Sequence, residues 1–331
     1  PKPAPPAPPA PLDVFSVDSL LHFTLEADFS ALVRDRAQDA KYRPAVLKYA
    51  ASGEAPVAVP VRLRTRGIFR LRPSTCGFPP LRINFRKKEV ERTLFAGQDG
   101  LDLTTHCQDR RREYEQYVLQ EYVIYRMFNA LSERSFRVRL ARVTYIDTTG
   151  KRDSLTRFGF LIEDDDGLAK RLGLKILERP GIPQDAMEPN YMALVAVFQY
   201  FVGNTDWSVA GLHNIRVMQD TSPATLIAYA VPYDFDWSGV INTRYAVPHP
   251  TLGTRTVRER VFRGTCFEDS QMDPVLALFQ AKKDTLYALY RGQAGLDPDE
   301  AKQALGYFDE FYRTLANPRS ARQVVRANCL R

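Results

Sequence analysis

An α+β fold, β-rich in its first part and mainly helical in its second, is predicted by three observations. Alternating apolar residues recur up to Phe85 and again from Phe136 to Ile162, the period of half-buried strands. A single amphipathic helix, Glu113 to Leu131, interrupts them, with Tyr117, Val118, Ile124, Tyr125, Phe128 and Leu131 at helical spacing. From Tyr191 onward, helical spacing dominates.

Taken in order, the chain opens with PKPAPPAPPAP, which forms neither helix nor sheet and favours an extended polyproline arm over residues 1–12. Val17 to Leu32 and Val57 to Arg66 alternate as strands, the second ending at Gly67, where a turn is expected. Leu81 to Phe85 follows Pro79 and Pro80, so it is expected to enter a sheet from an edge. Phe136 to Ile146, a polar turn around Gly150 and Arg157 to Ile162 read as a hairpin. The acidic run Glu163 to Asp166 reads as a solvated connection, with Asp166 capping a helix that starts near Leu168. Asn190 is expected to cap the helix Tyr191 to Val202, which is apolar nearly all round and so buried. Asp273-Pro274 and Asp297-Pro298 each read as an N-cap followed by proline at the first helical position. The organisation expected is an arm at 1–12, a β-rich part at 13–163 and a helical part at 164–331.

With 331 residues the chain has ample apolar material for a core, which excludes global disorder. Its 46 Lys and Arg against 39 Asp and Glu are spread along the sequence, and no segment clusters basic residues with aromatics, so nucleic acid is not an expected partner. No apolar run approaches the roughly 20 residues that cross a bilayer; the longest, Tyr191 to Val202, is interrupted by Gln199. A start at Pro1 points to processing: a removed signal peptide, a lost lipidated or anchoring segment, or a cut chain. The expectation is export to the periplasm or cell surface, with membrane association open. Cys76, Cys107, Cys266 and Cys329 are compatible with up to two disulfides outside the cytosol or with buried thiols, and none has the C-x-x-C spacing of a metal site.

The chemistry concentrates in GNTDWSVAGLHNIRVM. A buried helix ends at Gly203, and a polar loop carries Asn204, Asp206, His213 and Asn214. A strand, Ile215 to Met218, then turns through Asp220, Ser222 and Pro223 into the strand Leu226 to Val231 and the triplet Asp234-Phe235-Asp236. The loop before a hairpin and the loop after it are neighbours, so Asp206, Asn214 and Asp234 are brought to one end. Phosphoryl transfer uses such a set: a carboxylate to take the proton of the nucleophile, and an amide oxygen with a carboxylate to hold magnesium against phosphates. His213 reads as structural. Neither a G-x-S-x-G elbow nor an H-E-x-x-H motif is present, which removes two common hydrolase classes.

In these segments, together with RTRG at Arg64 to Gly67 and GFLIEDDDGLAKRLG, the chain resembles the spore-coat-protein-H (CotH) atypical kinases and, more distantly, HipA-type kinases. The matches span about Arg64 to Asp236. The resemblance implies a two-lobed protein-kinase-like fold, a β-rich N-lobe with one packed helix joined to a helical C-lobe, that binds magnesium and ATP. By motif match Asp206 is the base, Asn214 and Asp234 are metal ligands with Asp236 auxiliary, and Glu163 sits at the lobe junction. Kinases also hold the nucleotide with a strand lysine and a helical glutamate. Glu121, on the apolar stripe between Tyr117 and Tyr125, is the candidate glutamate, but Pro79 and Pro80 stand where basic residues are usual, and the strands offer Arg64, Arg66 and Arg82 instead. Arginine differs from lysine in reach and shape, and no G-x-G-x-x-G loop is present. Two functions follow from these residues. One is magnesium- and ATP-dependent phosphoryl transfer, with Arg66, Arg82, Glu121 and Glu163 around the nucleotide. The other is a non-catalytic scaffold, an extrinsic subunit of a larger complex that docks through its proline-rich arm.

Overall fold

The computed structural model describes residues 13–50, 55–222, 226–317, 322–324 and 329–330; the proline-rich segment 1–12 and Pro223 lie outside the described residues. Two compact units form, the first from residues up to Asp109 together with Arg139–Ile162, the second from Arg110–Val138 with Glu163 onward.

In the first unit seven strands close into a barrel: β1 (Leu21–Ala27), β2 (Arg43–Tyr49), β3 (Val57–Thr65), β4 (Leu81–Phe85), β5 (Gly100–Thr104), β6 (Val138–Asp147) and β7 (Leu155–Ile162), in the order β1-β2-β3-β4-β5-β7-β6. The alternation in VAVPVRLRT is the reason β3 serves as a stave: Val59, Val61, Leu63 and Thr65 are buried while the residues between them face outward. Leu25, Leu47, Ile83, Leu101, Leu103 and Leu161 complete the filling, each fully buried. At about 1.5–3 kcal/mol for each large apolar side chain, this lining is the main source of the unit's stability. Two short helices, α1 (Phe29–Arg34) and α2 (Lys87–Val90), attach to it.

Closure comes from β1 lying parallel to β6, with Leu21 opposite Ala141 and Ala27 opposite Asp147. This overturns the two-lobed kinase fold. A β-rich lobe with one packed helix would leave sheet edges, whereas the β1–β6 pairing removes them, and the long helix expected there groups with the second unit. Local sequence differs from expectation in related ways. Val17 to Leu32 is not one strand, because the Asp28 carboxylate accepts the Ala31 N–H at 2.8 Å and starts α1. Leu81–Phe85 is not an edge: β4 pairs with β3 on one side and β5 on the other, and Pro79 and Pro80 precede the ladder, so neither removes a donor from it.

The second unit contains α3 (Arg112–Leu131), α4 (Asp165–Leu172), β8 (Leu174–Ile176), α5 (Pro189–Val202), β9 (Ile215–Asp220), β10 (Ala228–Pro232), α6 (Asp269–Arg291) and α7 (Pro298–Leu315). The strands form an antiparallel sheet in the order β10-β9-β8. The apolar helix α5 is buried as its composition requires. Its Phe201 ring stacks on Phe308 at 4.3 Å and meets Phe311 at 4.9 Å and Phe279 at 5.3 Å, which fastens α5 to α6 and α7.

Caps in this unit are supplied by residues other than several of those expected. Glu188 rather than Asn190 caps α5, accepting from Tyr191 N–H at 2.6 Å. Asp164 rather than Asp166 precedes α4. Helix α6 begins at Asp269 under a Glu268–Gln271 capping box, and Pro274 lies inside it, where proline leaves one backbone bond unmade. Asp297 caps α7 as its Asp-Pro pair predicts, accepting from Asp299 N–H at 2.8 Å. Among the described residues no helix is long and apolar enough to cross a membrane.

Candidate functional site

Helix α5 stops at Gly203, whose φ of 70° is the left-handed turn that glycine adopts without strain. The chain then enters the polar loop. Asn204 begins it by accepting the Asp206 N–H on its side-chain oxygen at 2.9 Å, a local turn that aims the Asp206 carboxylate back toward the start of β9. There two neighbours meet it. His213 Nε2 lies 2.9 Å from Asp206 Oδ1, and the Asn214 amide donates to Asp206 Oδ2 at 3.0 Å and to its backbone oxygen at 2.7 Å.

On the other strand, β10 ends opposite the start of β9, with Pro232 paired to Ile215. The ladder continues one step further, since Tyr233 N–H donates to the Asn214 carbonyl at 3.0 Å. Asp234 comes next, its N–H held by the Tyr125 hydroxyl of α3 at 2.8 Å. Asn214 and Asp234 therefore stand at the same end of the hairpin. Both have left-handed backbones, φ 52° and 58°, a conformation that Asn and Asp tolerate better than other residues with a side chain. Asp236 is buried, and its Oδ2 accepts from the Tyr245 hydroxyl at 2.9 Å.

At the hairpin end the carboxylates of Asp206 and Asp234 lie near the cationic side chains of His213 and Arg263. The hydrogen bond to Asp206 holds the His213 imidazole above its usual pKa against the opposing effect of burial, with the nearby Asp206 and Asp234 charges adding to the rise. Arg263 donates to the Trp207 carbonyl at 2.8 Å and to the Thr205 carbonyl, which pins the loop, and burial lowers its pKa. Among the described residues no three His, Cys, Asp or Glu side chains converge on a metal position. The donors nevertheless suit magnesium, which keeps several waters and takes one or two protein oxygens beside its phosphates. Asn214 uses its NH₂ in the contacts with Asp206, so its carbonyl oxygen, the atom a hard cation takes, is left uncommitted.

The remaining sequence candidates are placed otherwise. Glu121 is buried on α3, one turn before Tyr125. Glu163 is buried in a triad: Arg137 Nε and Arg171 Nε reach its Oε1 at 3.0 and 2.9 Å, and Arg171 Nη2 its Oε2 at 2.8 Å. Glu163 is thus buried rather than solvated, whereas Asp165 pairs with Arg216 at 2.7 Å near the surface and Asp166 is exposed. Arg66 and Arg82 lie on the barrel and share the Asp102 carboxylate, at 2.9 and 3.1 Å. A groove of about 560 Å³ lined by Tyr290, Leu296, Lys302 and Leu305 lies between α6 and α7 and includes none of these residues. Arg263, Tyr125 and Tyr245 carry no motif, and only the fold shows that they hold the acidic loops.

No protein-family model matches the chain, and no curated protein matches it significantly. The resemblance to the CotH and HipA-type kinases rests on the quoted motifs alone.

Proposed function

We propose that the end of the β9–β10 hairpin binds a magnesium–nucleotide and serves phosphoryl transfer. The observation that carries this reading is the position of Asp206, Asn214 and Asp234 at one end of the hairpin, where the Asn214 amide bonds Asp206, the Tyr233 N–H bonds the Asn214 carbonyl and the Tyr125 hydroxyl holds the Asp234 N–H. Function of this kind resides in a site rather than in a fold, so the barrel does not count against it. Asn214 Oδ1 and the Asp234 carboxylate would hold the cation, with Asp236 behind them. Bound magnesium would neutralise charge on the transferred phosphoryl group. Asp206 accepts one hydrogen bond on each carboxylate oxygen and keeps a lone pair on both, so it can orient a hydroxyl nucleophile and take its proton. Arg66 and Arg82 have no part in this reading, because Asp102 already engages them. The pairings Cys76–Cys107 and Cys266–Cys329 support an exported protein, since such bonds persist in oxidising compartments.

Calorimetric titration of ATP with magnesium into the chain and into Asp234→Ala tests the proposal. Magnesium-dependent heat that disappears in the variant is expected; no heat at millimolar nucleotide would sink it. A second reading, the non-catalytic scaffold, is favoured by the engagement of Asp206 with His213 and Asn214, and it predicts that second outcome.

A further inference from the structure

The outer face of the barrel carries an arginine array that the magnesium–phosphate reading does not use. Because side chains alternate along a strand, Arg62, Arg64 and Arg66 all point away from the core, spaced by about 6.7 Å. Arg66 extends the ladder past the strand end, its N–H donating to the Pro80 carbonyl at 3.0 Å. On β4, Arg82 stands directly opposite Arg64. Like charges facing each other across an antiparallel pair are destabilising, and the protein answers this only in part.

Asp102, next to Arg82 on β5, takes Arg82 Nη1 at 3.1 Å and Arg66 Nη2 at 2.9 Å. Room for this comes from Gly100, where a Cβ would lie 2.5 Å from the Arg82 guanidinium. Arg62 and Arg64 meet no carboxylate among the described residues. Arg62 donates to the amide oxygen of Asn84 at 2.7 and 3.1 Å. Arg64 and Arg62 both pack over the Tyr42 ring, at 5.0 and 5.4 Å from its centre, and Arg64 Nε is buried without a partner. The guanidiniums are thus held in place before anything binds, and they carry more positive charge than Asp102 returns.

We propose that this face docks an extended acidic segment of a partner protein, with carboxylates at alternate positions. An extended peptide repeats its side chains on one face at the same interval as β3, so successive carboxylates fall opposite Arg62 and Arg64, while Arg66 stays with Asp102. Guanidinium groups suit bidentate carboxylate binding, and prior ordering lowers the entropy lost on docking. The arrangement favours an acidic protein over a nucleic acid because base stacking needs an open aromatic ring, and Tyr42 is already covered by two arginines.

Fluorescence anisotropy with a labelled peptide of alternating Glu and Thr tests this, beside a scrambled peptide of paired Glu and paired Thr and a single-stranded oligothymidine. The alternating peptide is expected to bind best and to weaken as salt rises toward about 0.15 M. The Arg62→Gln/Arg64→Gln variant, with an unchanged melting temperature, should lose at least about tenfold in affinity, while Lys302→Gln on α7 should lose none. Absence of peptide binding at low salt, equal binding of the scrambled peptide, an equal loss in Lys302→Gln, or tighter binding of the oligothymidine would each overturn the proposal.

Discussion

Replacing Glu163 by Ala removes the carboxylate on which two arginines converge, and the structure sets the size of the loss. The Glu163 side chain is 2% exposed, while those of Arg137 and Arg171 are 33% and 26% exposed. Removing one member of a buried ion pair costs about 3–5 kcal/mol, chiefly through the charge left behind. Here the charges left behind are near the surface, and Arg171 keeps its bonds to the Glu133 and Ser135 carbonyls at 3.1 and 2.7 Å. The loss should therefore lie at the low end, about 3 kcal/mol. Arg137 N–H, bonded to Oε2 at 3.1 Å, loses its partner as well. In a unit of this size each kcal/mol moves the midpoint by about 2–4 °C, so calorimetry should show the second unit melting about 6–12 °C lower. Glu163→Ala/Arg171→Ala should lose less than the sum of the two single variants, because the stranded charge is gone. A shift under about 2 °C, or strict additivity, would refute the triad as a source of stability.

Other consequences are open to direct measurement. Gly203→Ala places a methyl group against the Tyr307 hydroxyl at φ 70°, so it should lower stability by at least about 2 kcal/mol in urea titrations; a loss under about 0.5 kcal/mol contradicts the turn assigned here. Reducing Cys266–Cys329, which closes a separation of 63 residues, should cost about 4 kcal/mol on the chain-entropy estimate, and a thermal melt unchanged by reductant would speak against the bond. His213, whose folded-state pKa is raised by Asp206, gives stability that is complete below its unfolded pKa of about 6.5 and is lost as pH rises through the folded value. A titration of its ring protons by NMR should return to the ordinary range in Asp206→Asn; an unmoved midpoint would deny the pairing.

Particular residues show how far the sequence carries. The period-2 pattern of VAVPVRLRT marks β3, and the helical spacing of Tyr117, Ile124, Tyr125 and Phe128 marks α3, because each burial face is written locally. RPAVLKY and GLDLT, which form β2 and β5, are short and lie between proline- or glycine-containing segments, so their alternation does not stand out. Barrel closure was not legible at all, since β1 meets β6 in parallel more than a hundred residues later and nothing in either strand announces the other. Capping shows the same limit: Asn190 is the better cap by residue type, but Pro189 takes the first helical position, which puts Glu188 at the cap and Asn190 inside α5. In the candidate site, Gly203 and the hairpin order place Asp206, Asn214 and Asp234 together from sequence. The left-handed backbones at Asn214 and Asp234, and the commitment of Arg66, Arg82 and Glu163 to local ion pairs, required the structure.

Manganese, a magnesium substitute that broadens nearby NMR signals, tests the central claim most directly. Adding it with ATP to isotope-labelled protein should broaden the Asn214 side-chain amide and the Asp206 and Asp234 backbone signals, and Asp234→Ala should abolish the effect. Uniform broadening, or broadening centred elsewhere, would contradict the assignment of the hairpin end as the magnesium–nucleotide site.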